Sequence, residues 1–223
     1  MRMKDRLDTY AVWEALKEGS ECPLCALRRK TERTLIARSL GGAVMSPDDR
    51  QRVNRAGFCP AHHQQLYQQK NRLGHALLTL SRLQTLLPQV DRAIDEAGYG
   101  NPRKGKGLFR REEAADAPTG ALHSLTASCV LCQELEAQSA RQAETLVYLW
   151  QHDPEFAAAF TASKGLCLPD TARMIDLAGK LPAAARQPFL SALRQGLAGS
   201  LKRLEQELDW YTQKFDYRNQ DAP

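Results

Sequence analysis

Long apolar runs are missing from this sequence. No stretch approaches the roughly 18 to 20 consecutive apolar residues that a membrane-spanning helix requires, and the mean hydropathy is -0.49. The first 16 residues are charged and amphipathic, without the apolar centre of a signal peptide. These absences predict a soluble, cytoplasmic protein that does not contact membranes.

An excess of charge of one sign is also absent. The 223 residues contain 31 Lys and Arg against 26 Asp and Glu, a formal net charge of +5. A surface of mixed charge gives no support for nucleic-acid binding. The basic cluster at residues 103–111 is followed directly by acidic residues, and its composition is typical of a solvated linker. We therefore do not expect nucleic acid as a partner.

The alternating pattern of β-strands is missing too, because apolar residues recur at helical spacing almost everywhere. We predict an all-α fold. One helix is expected from about Pro60 to Leu87, with a break or kink at Pro88, and the last helix is expected to continue past Trp210. The leucines expected on one face of the first of these helices are Leu66, Leu73, Leu77, Leu80 and Leu83.

A change of composition divides the chain. Residues 98–120 are rich in glycine, proline and charge, and we interpret them as a linker. The predicted organisation is a helical half at residues 1–97, the linker at 98–120, and a second helical half at 121–223.

All six cysteines fall into a pattern that occurs once in each half. The motifs are CPLC with Cys22 and Cys25, GFCPAH with Cys59, CVLC with Cys129 and Cys132, and GLCLPD with Cys167. The interval from the second to the third cysteine is 34 residues in the first half and 35 in the second. This match predicts an internal repeat.

A helix-start signal precedes the third cysteine of each half. Ser46 and Asp153 are each followed by proline and an acidic residue, the order preferred at helix N-termini. Gly57 and Gly165 then stand just before the cysteine motif, where a left-handed residue is expected to end each short helix.

Two thiolates three positions apart can bind one ion, and a second pair of ligands completes a tetrahedral shell. We predict a Cys₃His site in the first half, formed by Cys22, Cys25, Cys59 and His62. The second half repeats three ligands, Cys129, Cys132 and Cys167, but has Asp170 in the position of His62. In order of preference, this second site is Cys₃Asp, a three-cysteine site open to water or to His152, or a site that has lost its ion.

Zinc is the expected metal, because two separated ligand pairs are common in structural zinc sites. A [4Fe–4S] cluster with an electron-transfer or sensing role is the alternative cofactor. A redox-active dithiol would be expected in a βαβ context, which this sequence lacks. Six inert buried cysteines would not explain the matched spacing.

The same motifs, together with QKFDYR at residues 213–218, resemble an uncharacterised bacterial family known as a domain of unknown function. The resemblance covers nearly the whole chain and implies a duplicated helical protein in which both cysteine sets end in Cys-x-x-His. Asp170 departs from that pattern. The resemblance supports the fold and the ligands but implies no activity.

The sequence therefore predicts two helical halves, each organised around a Cys₃His or Cys₃Asp metal site. The expected function is that of a non-enzymatic scaffold or interaction module that binds another protein. A metalloenzyme using an open Cys₃Asp site is the second alternative, although no general base is placed beside that site.

Overall fold

The computed structural model describes residues 4–98 and 118–215, and these residues contain helices but no β-strand. This confirms the all-α prediction. The helices are α1 (Lys4–Lys17), α2 (Pro23–Ser39), a 3₁₀ turn (Gly42–Val44), α3 (Pro47–Ala56), α4 (Pro60–Tyr67), α5 (Arg72–Gly98), α6 (Pro118–Thr126), α7 (Val130–His152), α8 (Pro154–Thr161), α9 (Leu168–Ala178) and α10 (Ala183–Gln213). Within the described ranges, no helix combines the length and the apolar character needed to cross a membrane.

The chain forms two compact units, which differ from the two sequence halves. The terminal unit contains residues 1–31 and 137–223, and the central unit contains residues 32–136. Most of the predicted linker, residues 99–117, lies outside the described residues, as does the end of the QKFDYR motif.

The core of the terminal unit is aromatic. Phe156 and Phe189 are fully buried with Met174, and the Trp13 ring meets Phe156 edge to face with centroids 5.2 Å apart. Trp13 also donates a hydrogen bond of 3.0 Å from Nε1 to Asp153 Oδ2, so α1 is attached to the beginning of α8.

The core of the central unit is aliphatic. Leu66 of α4 and Leu78 of α5 are its most deeply buried side chains, and they pack with residues of α2 and α3 and of the first turns of α7. These residues belong to amphipathic helices, each of which buries one face in the core.

The predicted helix starts are confirmed. Ser46 Oγ accepts a hydrogen bond of 3.3 Å from the backbone N–H of Asp49, and Asp153 Oδ1 accepts one of 3.1 Å from that of Phe156. Gly57 caps α3 with φ of +66°. Gly165 also has a positive φ, +82°, but α8 ends at Thr161, so Gly165 shapes the following turn and does not cap the helix.

The single helix predicted over residues 60–87 is wrong in two respects. It is divided into α4 and α5, because Asn71 starts a new helix by accepting a 2.8 Å hydrogen bond from the N–H of Gly74 while donating one of 2.6 Å to Leu40 O. Asparagine is a preferred N-cap.

The leucines predicted for this helix also do not share one buried face, since Leu66 is buried but the four on α5 are exposed. Pro88 does not end α5, which continues to Gly98.

Candidate metal centres

The candidate site of the central unit is built at the beginnings of two helices. Cys59 is the N-cap of α4, and Cys129 stands immediately before α7. His62 and Cys132 lie three residues further on, in the first turn of each helix. The ligand pairs therefore share the region where free backbone N–H groups and the positive helix end favour thiolates.

Two hydrogen bonds hold these helix starts together. The N–H of Val130 donates to Gly57 O at 3.0 Å, and Ser128 Oγ donates to Ala56 O at 3.1 Å. The positive φ of Gly57 turns the chain between the two contacts. The local backbone thus fixes the ligand pairs relative to each other without requiring the sulfur atoms to do so.

Three sulfur atoms surround one imidazole nitrogen in this site. His62 Nδ1 lies 3.2 Å from Cys59 Sγ, 3.3 Å from Cys129 Sγ and 3.4 Å from Cys132 Sγ. The sulfurs of Cys59 and Cys132 are 3.8 Å apart. The four atoms thus occupy the corners of a small tetrahedron.

The candidate site of the terminal unit has the same design. Cys22 and Cys25 lie at the beginning of α2, Cys167 is the N-cap of α9, and Asp170 is in its first turn. Asp170 Oδ2 lies 3.2 Å from both Cys22 Sγ and Cys167 Sγ and 3.5 Å from Cys25 Sγ. Asp170 therefore takes the place that His62 has in the central unit.

Charged side chains join the two turns that carry these ligands. Glu21, directly before Cys22, accepts a hydrogen bond of 2.8 Å from Lys164 Nζ and another from Arg203 of α10. Both basic residues lower the pKa of the Glu21 carboxyl, with the Lys164 hydrogen bond as the largest contribution. The pairs are exposed and contribute little to stability, but they place the two turns side by side.

All eight predicted ligands are thus brought into two groups of four, but the predicted grouping is wrong. CPLC pairs with GLCLPD, and CVLC pairs with GFCPAH. Helix length gives the reason: α2 has 17 residues, about 25 Å, and α3 has 10 residues, about 15 Å. By itself α3 is therefore about 10 Å too short to retrace the length of α2. The 23 residues of α7 and the 8 of α8 repeat the mismatch.

The other histidines considered from sequence lie elsewhere. His152, the alternative ligand for the second site, is exposed, stacks on Tyr148 and bonds through Nδ1 to Tyr148 O at 2.9 Å. His63, next to the candidate ligand His62, makes a 2.9 Å hydrogen bond with His75. The fourth member of the terminal group is Asp170, which the sequence analysis preferred to water or His152 as the partner of three cysteines.

Two thiols of the terminal site, those of Cys22 and Cys25, have raised pKa values. Burial raises the pKa of Cys22 far above its ordinary value, and the Asp170 carboxylate raises it further. Burial also raises the pKa of Cys25 to about 11, helped by the neighbouring Cys167 thiol. A bound cation would stabilise the thiolates, so metal binding at this site must release protons.

In the central site, the pKa values of two cysteines shift in opposite directions. Burial and the neighbouring Cys129 thiol raise the pKa of Cys132 to about 12. Burial acts in the same direction on Cys59, but hydrogen bonds from the backbone N–H of His62 and from nearby thiols outweigh it, and the pKa of Cys59 is lowered. Cys59 therefore loses its proton more readily than an ordinary cysteine does.

A carboxylate, that of Glu32, lies close to the imidazole nitrogen of His62 that faces away from the cysteines. His62 is 4% exposed, and its Nε2 lies 3.3 Å from Glu32 Oε1. The alignment falls short of a hydrogen bond, since Nε2 has no hydrogen-bond partner, but the proximity favours the tautomer with the proton on Nε2 and a free lone pair on Nδ1. Sequence analysis missed Glu32, although its position seven residues after Cys25 was available as a signal.

The corresponding position in the other half is Ser139, seven residues after Cys132. Ser139 is buried in the terminal unit, and its hydroxyl has no hydrogen-bond partner. The sequence position of Glu32 is thus occupied by a neutral residue in the half that has Asp170 instead of histidine.

Comparison with known proteins gives the chain a family but no function. No curated protein and no solved structure matches it. One family model, described as a family of unknown function, matches residues 3–223, and this confirms the resemblance to an uncharacterised family. The chain therefore belongs to the family of unknown function DUF6062.

Proposed function

We propose that this protein is a zinc-binding helical scaffold in which one structural ion stabilises each compact unit. The observation that carries the proposal is the convergence of three sulfur atoms on one ligand atom, His62 Nδ1 in the central unit and Asp170 Oδ2 in the terminal unit. The same arrangement arises twice from different residues.

Hydrogen bonding alone does not account for this geometry. A neutral imidazole nitrogen has one lone pair and accepts one good hydrogen bond, yet three thiols point at His62 Nδ1. A cation at the centre gives all four atoms a favourable partner at once. The convergence therefore supports a metal site.

The spacing supports a single ion. Zn–S bonds of about 2.3 Å and Zn–N or Zn–O bonds of about 2.1 Å place tetrahedral sulfurs about 3.8 Å apart and sulfur about 3.6 Å from nitrogen or oxygen. The observed sulfur separations are 3.8 Å and 3.6 Å. In a [4Fe–4S] cluster each thiolate binds a different iron and needs more room, so this spacing favours zinc over the cluster alternative.

The number of ligands supports a structural role. Each group contains four side-chain ligands, and structural zinc sites are closed in this way, whereas catalytic sites keep a position for water. This argues against the metalloenzyme alternative, since the carboxylate of Asp170 fills the position that water would need.

As a scaffold, the protein would present its exposed helix faces to a protein partner in the reducing cytoplasm, where thiolates stay available for zinc. All six cysteines are free of disulfides, which agrees with such a compartment. Exposed leucines on α10 provide apolar surface for the partner.

Elemental analysis combined with an absorption spectrum tests the proposal. Protein purified anaerobically from cells supplied with iron and zinc should be colourless and contain two equivalents of zinc. The Asp170→Ala variant should retain one equivalent, held by the central unit, and His62→Ala should retain the one of the terminal unit. A brown sample with iron and sulfide would instead establish the cluster, and metal-free folded protein would refute both.

A further inference from the structure

Helix α5 carries an apolar stripe on the side away from the core. Its inward residues include Gly74, Leu78, Arg82 and Ala93, all buried. On the opposite side, Leu73, Leu80, Leu87 and Ile94 are 71%, 52%, 59% and 55% exposed. A globular helix normally directs such residues into the core.

The stripe has the spacing of a coiled coil. Leu73, Leu80, Leu87 and Ile94 are separated by seven residues each, and a second row between them adds Ala76, Leu83 and Val90. Positions a and d of three successive heptads are thus apolar, the pattern with which one helix packs along another. The helix is 27 residues long, about 40 Å, enough for such a seam.

The stripe is also complementary to itself when reversed. An antiparallel copy centred between residues 83 and 84 places Leu73 opposite Ile94, Leu77 opposite Val90, and Leu80 opposite Leu87. Each contact then occurs twice, as a twofold interface requires. These three apolar pairs lie on each side of the centre, where Leu83 meets Gln84, while Ala76 lies opposite Asp91.

Charge supports the same arrangement. Exposed Lys70 and Arg72 lie just before and at the beginning of α5, and near its end exposed Asp91 and Asp95 outnumber exposed Arg92. The register given by the apolar residues places Arg72 opposite Asp95 of the second copy. Parallel pairing would instead place like charges together at both ends.

We propose that the protein forms a homodimer in which α5 packs against α5 of a second copy as an antiparallel helical pair. Three heptads of exposed leucine and isoleucine form the seam, and an Arg72–Asp95 ion pair lies at each end. The interface belongs to the central unit alone and uses no metal ligand.

A competing apolar face lies on α10. Leu201, Leu204, Leu208, Tyr211 and Phe215 also follow a heptad and are exposed. Self-pairing of this face is less favourable, because the antiparallel arrangement sets Glu205 opposite Glu207, and the parallel one gives neither glutamate a basic partner across the seam. The α10 face therefore serves as the comparison in the experiment.

The test measures the mass of the full, zinc-loaded protein by light scattering and by sedimentation over a concentration series. We expect a dimer, twice the 24.9 kDa of one chain. Leu80→Glu should weaken dimerisation at least about 100-fold, because it buries two unpaired charges in the seam. Leu204→Glu on α10 is the matched control and should remain dimeric, with circular dichroism and zinc content checking the fold of both.

Charge reversal tests the direction of the helices. Arg72→Glu and Asp95→Arg should each weaken the dimer about 5- to 10-fold, and the double variant should restore it, because the pairs are rebuilt with opposite sign. A monomer at about 100 μM, dimerisation lost in Leu204→Glu but kept in Leu80→Glu, or no rescue in the double variant would each overturn the proposal. Zinc content reports separately on the metal sites.

Discussion

The sulfur atoms of Cys25 and Cys167 lie 3.6 Å apart, although 142 residues separate the two cysteines in the sequence. In the central unit, Cys59 and Cys132 are similarly close across 73 residues. An ion in either site would cross-link distant segments and remove the chain entropy of a large loop, as a disulfide does. For the terminal unit, it would join the segments 1–31 and 137–223.

The grouping of ligands predicts the zinc content of paired variants. Cys25→Ser combined with Cys167→Ser removes two ligands of one site, so this protein should keep one equivalent of zinc. Cys25→Ser combined with Cys59→Ser damages both sites and should keep none. Elemental analysis of the two proteins distinguishes this grouping from pairing within each sequence half, which predicts the opposite result.

Loss of the carboxylate behind His62 should weaken one site only. In Glu32→Ala, the imidazole loses the group that favours its Nδ1 lone pair, and zinc affinity of the central site should fall about 10- to 100-fold. Competition with a chromophoric chelator measures this. Glu205→Ala, at an exposed position of α10, should bind zinc as the unaltered protein does. Equal weakening of both sites in Glu32→Ala would refute the role of Glu32.

Gly165→Ala should destabilise the terminal unit by about 2 kcal/mol or more. A Cβ at Gly165 would stand 2.9 Å from the carbonyl carbon of Gly196, and φ is +82°, so steric overlap adds to backbone strain. In Gly57→Ala the new atom would meet only the side chain of Arg82, at 3.3 Å, and the loss should be smaller.

Gly199→Ala is the control for these variants. A Cβ at Gly199 would meet no atom within 4 Å. Gly199 lies in α10, where alanine is preferred over glycine by up to about 1 kcal/mol. Urea unfolding should therefore rank the stabilities of the variants in the order Gly199→Ala, Gly57→Ala, Gly165→Ala. Equal stability of Gly165→Ala and Gly199→Ala would contradict the close approach to Gly196.

Acid should release zinc from the terminal site first. Thiols with raised pKa values keep their protons to higher pH, so zinc must displace more protons as pH falls and its affinity decreases. Burial raises the pKa of both Cys22 and Cys25 in the terminal site, whereas in the central site the pKa of Cys132 is raised and that of Cys59 is lowered. Zinc release is measured from about pH 8 to about pH 5 in His62→Ala and Asp170→Ala, which each keep one site. A lower release midpoint in His62→Ala would contradict this order.

Local signals were sufficient for much of the structure. Ser46 and Asp153 cap the helices that they were predicted to cap, and each cysteine pair or Cys-x-x-His/Asp motif lies at a helix start. These features depend on a few neighbouring residues and on backbone hydrogen bonds. For the same reason the spacing of the cysteines was enough to identify the eight clustered side chains.

Burial on α5 was not predictable from the leucine spacing. A helical apolar stripe marks a face that needs a partner, but it does not say whether that partner is the core of the same unit. The side of α5 that is buried carries Leu78 and Arg82. Arg82 donates hydrogen bonds of 2.5 Å and 2.7 Å to Asn54 O and Leu125 O. An arginine could occupy that face because two carbonyls at helix ends satisfy its guanidinium.

The sequence by itself determined the all-α class, the positions of the helix starts, and the identity of the two Cys-x-x-Cys and two Cys-x-x-His/Asp pairs. Only the tertiary structure decided which pairs meet. Spacings of 34 and 35 residues allow pairing within or between the halves, because spacing counts residues and not direction. The long α2 and α7 lead the chain away from each first pair, and the shorter α3 and α8 do not bring it back.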